Sequence, residues 1–189
     1  LDSQLVVMGK EVFYNGKFLP YYYANRYRGL DSDECKEFLI DVRDILDEND
    51  IEYFLIFGTL LGAYRDKDFI KYDRDIDIGI FSSDKEKLDE LILSGVFLKK
   101  GIKSFRDRGY SFCKWDTYMD IYPFKMEGDE YRSLLGWESN FRLLPEYFPT
   151  QKIEFLGESF KTIRHIEVYL VDKYGPNWET PVKNSIASC

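Results

Sequence analysis

Phe57-Gly58-Thr59-Leu60-Leu61-Gly62-Ala63-Tyr64-Arg65, followed after a short basic stretch by Asp73-Arg74-Asp75-Ile76-Asp77-Ile78-Gly79-Ile80, is the part of the chain that decides the fold. Side chains of an extended strand alternate in direction, so Asp73, Asp75 and Asp77 project together while Ile76, Ile78 and Ile80 face the core. Same-face neighbours stand ~6 to 7 Å apart, and like charges at that spacing repel by roughly a kcal/mol or more per pair in a half-buried setting. A cation between them removes that cost, so the run predicts a divalent ion, Mg2+ or Mn2+. The interleaved isoleucines and Gly79 mark a central strand rather than a solvated acidic edge. A calcium loop of the EF-hand kind fails at its sixth position, where Ile78 stands and a β-branched residue resists the sharp turn made by Gly.

Other residues fill out the chemistry. Gly58 and Thr59 offer the backbone freedom and helix start that suit an approaching phosphate, or a plain strand-to-helix turn. Arg65 presents a planar fork for a diphosphate or, equally, a structural partner for the acids. Asp73 either joins the donor site or holds Arg74 or a water beside the ion. Asp120, between Met119 and Ile121, is a carboxylate in an apolar strand, costly to bury unless paired or metal-bound. Next to Asp75 and Asp77 it serves as a third ligand or as the base that takes an acceptor's proton, with pairing to Lys114 or Arg65 as the structural alternative. Asp116 reads as a turn residue, His165 as structural, and Trp178 as packing for the C-terminal region.

These blocks resemble the LicD and fukutin group of phosphotransferases, which share a Gly-Thr-Leu-Leu-Gly-x-x-Arg segment and an acidic x-Asp-x-Asp-h-Asp-h-Gly strand, h being apolar. Tyr118-Met119-Asp120-Ile121-Tyr122-Pro123-Phe124 is similar to the family's second acidic strand, and Tyr174-Gly175-Pro176-Asn177-Trp178-Glu179-Thr180-Pro181 to its closing signature. One departure is Lys71-Tyr72, where many relatives have Pro-Trp. The resemblance implies an α/β (α+β) nucleotidyltransferase-like fold, a central mixed sheet flanked by helices. It implies Asp75, Asp77 and Asp120 as catalytic metal ligands, and Gly58, Thr59, Arg65, Lys71 and Asp73 as donor-binding residues. It also implies a CDP-activated alcohol as donor and a glycan hydroxyl as acceptor. The ending through Val182-Lys183 is nearer the fukutin side, which places polyol phosphate ahead of phosphocholine. Two rivals stand beside this reading. One is a small nucleotidylyltransferase that moves the nucleotide itself onto an antibiotic or sugar; the other is an inactive glycan-binding module of the same fold.

Composition narrows the classes. The chain has 189 residues, 44% hydrophobic and 17% aromatic, enough for one sizeable core. A formal net charge of -8 argues against a nucleic-acid polymer as partner, since tracking phosphates needs clustered Lys and Arg. It leaves room for a local basic pocket from Arg65, Lys67, Lys71, Arg74 and Lys114. Cys35, Cys113 and Cys189 lack Cys-x-x-Cys spacing and His165 is the lone histidine, so neither a zinc site nor a disulfide framework is expected. No apolar run is long enough to span a membrane. The chain starts at Leu1, and the expectation is a cytoplasmic protein or one tied to a membrane by a segment further upstream.

Along the chain, residues 1–30 read as an irregular arm with one hairpin around Asn15-Gly16, and residues 31–189 as the catalytic domain. Asp31 and Glu34 open a helix to about Glu48 with Cys35, Phe38, Leu39, Val42, Ile45 and Leu46 inward. A buried strand over 51–57 follows, then a brief helix capped by Thr59 and the acidic strand over 73–80. Ser83 and Glu86 open a second helix stopped by Gly95. Strands are expected over 96–100, 110–114 and 117–122, the last ended by Pro123, then a hairpin over 152–163 and a final helix around Ile166, Tyr169 and Leu170 that stops at Gly175.

Overall fold

The computed structural model describes residues 6–8, 11–14, 17–20, 30–105, 110–115, 117–134 and 141–181. In chain order the elements begin with β1 (Val6–Met8), β2 (Glu11–Tyr14) and β3 (Lys17–Pro20), an antiparallel three-stranded sheet. The hairpin expected at Asn15-Gly16 is present in its strands, Tyr14 standing opposite Lys17, while the turn residues lie outside the described residues. Next come α1 (Ser32–Glu48), β4 (Tyr53–Leu55), α2 (Phe57–Leu61), β5 (Asp75–Phe81), α3 (Lys85–Ser94) and α4 (Val96–Lys99). They are followed by β6 (Lys103–Phe105), β7 (Tyr110–Lys114), β8 (Thr117–Glu127), β9 (Glu130–Ser133) and β10 (Arg142–Leu143). The chain then forms β11 (Gln151–Phe155), β12 (Glu158–Thr162) and α5 (Ile166–Tyr174).

β4 to β12 form one mixed sheet in the order β10-β9-β8-β5-β4-β12-β11, with β7 also on β8 and β6 outside β7. The acidic strand β5 is central, as its isoleucines require: it runs parallel to β8 and antiparallel to β4. Ile76, Ile78 and Ile80 are fully buried, as are Met119 and Ile121 beside them. Burying one such side chain contributes about 1.5–3 kcal/mol, so a one-residue slip that turned the acids inward would forfeit the whole set.

α1 begins where the sequence predicts, with the Asp31 carboxylate accepting from the Asp33 and Glu34 N–H groups. Its buried residues are those picked by periodicity, together with Asp41. Arg43 reaches Glu158 and Ser159 on β12 while Asp41 and Glu37 hold Lys114 at the end of β7, so α1 lies across the sheet.

Several expectations shift. Residues 96–99 form a helical turn, not a strand: Gly95 takes a left-handed φ of 76° after α3, and Phe97 turns inward against Phe112 at 4.9 Å. Core packing there overrides the strand preference of Val-Phe-Leu. α3 starts at Lys85 with no side-chain cap, preceded by a 3₁₀ turn over Ser82–Asp84, so Ser83 is not its cap. Pro123 does not end β8, because it falls where the strand changes partner from β7 to β9 and no ladder N–H is needed. Its carbonyl accepts from Leu134 at 2.9 Å. Asp73 precedes β5 rather than belonging to it.

Candidate active site

Asp77 and Asp120 are register partners on the parallel pair β5 and β8, and Asp75 lies on the same face two residues before Asp77. Asp73 reaches the group from the turn before β5, its carboxylate lying over Gly58. A Cβ at Gly58 would stand 2.1 Å from Asp73 Oδ2, so only glycine leaves room for this acid. On the other side, Gly79 makes space for the Phe54 ring, which a Cβ would meet at 2.1 Å. The acids therefore sit at the edge of an aromatic layer, in which Phe57 and Tyr122 meet edge-on at 5.1 Å and Phe141 lies 4.6 Å from Phe57.

Burial and mutual repulsion dominate the electrostatics. Asp77 is 2% exposed. Its carboxyl is pushed well above the usual range, first by burial and then by Asp75, Asp73 and Asp120, with a Tyr122 hydroxyl bond pulling the other way. Asp73 is raised to about 6 by burial and by Asp75. Asp120 is raised to about 6 by burial, with the Ser111 hydroxyl, donating at 2.5 Å, opposing and Asp75 adding. Asp75 is raised by burial, against the pull of Arg74. Asp77 Oδ1 is buried with no hydrogen-bond partner among the described residues.

Buried acceptors are almost always satisfied, so that bare oxygen is where a cation could be held. Carboxylate oxygens alone are the donor set of a hard ion such as Mg2+. Among the described residues, no three carboxylate, histidine or cysteine side chains are arranged to hold an ion unaided. The fit is therefore to an ion held by one or two carboxylates, its remaining positions left to water and substrate phosphate, as Mg2+ prefers.

The structure places the other candidates as follows. Thr59 is not a helix cap; it lies inside α2, 1% exposed, and its hydroxyl accepts the Asp77 N–H at 2.8 Å. β4 ends at Leu55 opposite Ile78. The next amide of β5 towards the acids thus has no strand partner, and the threonine side chain replaces it. Arg65 forks onto Asp66 with two bonds of 2.7 Å and reaches the Trp178 carbonyl at 3.2 Å, and pairs with none of Asp75, Asp77 and Asp120. Lys71 is exposed in the turn closed by the Asp73 N–H on the Ile70 carbonyl. Lys114 is buried against Asp41 and Glu37, away from any phosphate role, and it does not pair with Asp120. Lys67 donates to the Tyr64 carbonyl. Trp178 packs beside Tyr64 at 5.8 Å. His165 is exposed at the start of α5, and Asp116 lies outside the described residues. Sequence reasoning missed Tyr122 and Ser111. Tyr122 was within reach, being two residues beyond Asp120 on the same strand face, but Ser111 is defined only by the β7 to β8 register.

Comparison with known proteins decides the family. Residues 50–162, more than half of the chain, match the LicD/FKTN/FKRP nucleotidyltransferase domain. The chain belongs to this family. An uncharacterized protein of Rickettsia typhi is 30% identical over 117 residues, 61% of this chain and 37% of its own length. The human ribitol-5-phosphate transferase FKTN is 29% identical over 160 residues, 79% of this chain and 34% of its own. The chain thus spans little more than a third of these family members. The fold is that of the nucleotidyltransferases: a lincomycin-bound lincosamide antibiotic adenylyltransferase, LnuA, superimposes with a TM-score of 0.51 at 16% identity, covering 76% of this chain and 85% of that one. No helix among the described residues is long and apolar enough to cross a membrane.

Proposed function

We propose that this chain is a Mg2+-dependent phosphotransferase that moves a phospho-alcohol, a polyol phosphate ahead of phosphocholine, from a CDP-activated donor to a sugar hydroxyl of a glycan. The carrying observation is the buried acid group of Asp75, Asp77 and Asp120 with its unpartnered Asp77 Oδ1. Family membership supports the transfer class, and the similarity to FKTN, a ribitol-5-phosphate transferase, supports a polyol.

In the reaction the acceptor oxygen attacks the phosphorus that carries the alcohol, the bridging P–O bond breaks, and CMP leaves. A bound Mg2+ would supply charge neutralisation on the phosphate oxygens, held by Asp75 and Asp77. Asp120, its carboxyl raised by burial, would accept the acceptor's proton when ionised, with the Ser111 hydroxyl donating to its carboxylate. Thr59 holds Asp77 in place through the backbone.

The test is product analysis with CDP-ribitol, CDP-glycerol and CDP-choline, each with Mg2+ and a glycan acceptor. Release of CMP with an acceptor gaining an alcohol phosphate is the expected result. Release of pyrophosphate from a nucleoside triphosphate, with a nucleotide on the acceptor, would replace this reading with nucleotidyl transfer.

A further inference from the structure

The acid group would hold a metal, and the cations nearest to it in sequence, Lys71 and Arg74, are exposed, so a cation held in place beside the site is of interest for the donor's diphosphate. Of the cations expected near the site, Arg65 is forked onto Asp66 and Lys114 is locked between Asp41 and Glu37. Lys173, on α5, is different. Its ammonium lies 4.6 Å from the Phe57 ring centre and 4.8 Å from that of Phe141, and no carboxylate among the described residues is paired with it. Phe57 in turn meets Tyr122, whose hydroxyl donates to Asp77. The ammonium is thus two ring contacts from the central acid.

Its position is set from two sides. Tyr169, one helical turn before Lys173 and on the same face of α5, accepts the Phe57 N–H at 3.1 Å through its hydroxyl. One face of α5 therefore grips Phe57 by backbone and by ring. Phe57 itself holds a left-handed φ of 49°, strained for a bulky residue. Its ring lies between Lys173 and Tyr122. An ammonium resting on rings is held more weakly than one in an ion pair, and its flexible stem lets it turn to a phosphate arriving at the acids.

We propose that Lys173 binds the diphosphate of the donor, on the side opposite the metal, and neutralises the charge that grows on the leaving CMP. This rests on the phosphotransferase reading above. The experiment is calorimetric titration of wild-type, Lys173→Met and Lys173→Arg proteins with CDP, ADP and CMP in Mg2+, with a thermal melt of each. Methionine keeps the packing on Phe57 and Phe141, so the melts should coincide. Loss of a charge-assisted contact should weaken CDP binding by about tenfold or more in the Met variant, with CMP losing less and Arg restoring most of the affinity. Wild-type CDP affinity in the Met variant, or equal loss for CDP and CMP, overturns the assignment and leaves the proposed function standing. If wild-type protein binds Mg2+-ADP but not Mg2+-CDP, and the Met variant loses it, the CDP reading falls and Lys173 stands. No Mg2+-dependent binding of either diphosphate overturns both.

Discussion

Asp120→Asn should make the metal-free protein more stable at pH 8, although it removes a residue of the candidate active site. Asp120 is raised from 3.8 to about 6, mainly by burial, with Ser111 opposing and Asp75 adding. A folded-state value above the unfolded one means stability that is fully present below pH 3.8 and lost as pH rises through 6. The shift is about two units at ~1.36 kcal/mol each, so at pH 8 the ionised carboxylate costs at most ~3 kcal/mol. The side chain retains some exposure, and relaxation lowers the figure to about 1–3 kcal/mol. Asparagine cannot ionise, keeps the volume, and its amide oxygen still accepts from Ser111.

The assay is thermal unfolding in chelator at pH 8 and pH 4.5, followed by tryptophan fluorescence. The variant should gain roughly 2–12 °C in melting temperature at pH 8, from ~2–4 °C per kcal/mol for a chain of this size. Most of the advantage should vanish at pH 4.5, where the folded wild type carries the proton. Adding Mg2+ at pH 8 should stabilise the variant as well as the wild type, by ~2.7 kcal/mol at one hundred times Kd, since Asp75 and Asp77 remain to hold the ion. A variant less stable than wild type in chelator at pH 8, or equally advantaged at both pH values, would refute the electrostatic reasoning.

Three further outcomes follow from single contacts. Thr59→Val removes the acceptor of a buried amide and should cost about 1–3 kcal/mol in urea unfolding, while Thr59→Ser should retain most of it. Gly58→Ala places a methyl on the Asp73 carboxylate, so about 1–3 kcal/mol should be lost; a double change with Asp73→Ala should recover part of it, and no recovery would show that the clash lies elsewhere. Lys114→Met leaves Asp41 with Lys100 as its remaining cation, and should destabilise by about 1–3 kcal/mol at pH 7 without changing donor affinity. A changed donor affinity at equal stability would return Lys114 to the site.

The elements that were legible from sequence are those in which period and burial agree. The alternation of β5, the inward residues and cap of α1, and the hairpin of β11 and β12 all carry both signals. Residues 96–99 misled because three apolar residues in a row carry no period, and their helical turn is decided by what Phe97 packs against. The acids were legible as a group. What sequence could not give is which hydrogen bonds surround them, since Ser111 to Asp120 and Thr59 to Asp77 link different strands and turns. Arg65 illustrates the same gap from the other side: its fork suits a diphosphate, yet the neighbouring Asp66 takes it first.

Two carboxylate groups in this fold show why the Asp77 cluster belongs to a ligand rather than to the scaffold. Asp41 and Asp120 are both substantially covered, and burial alone would raise both. At Asp41 the fold brings in Lys114 and Lys100, whose hydrogen bonds hold the carboxyl below its ordinary value. That is how this chain stabilises an acid it needs only for structure. At Asp77 it does the reverse, adding Asp75, Asp73 and Asp120 and leaving Oδ1 without a partner. Such an arrangement costs stability in the free protein, a cost that a bound cation would offset. On the proposed function, the charge that completes the site would come from outside the described chain, carried by a metal-borne phosphate.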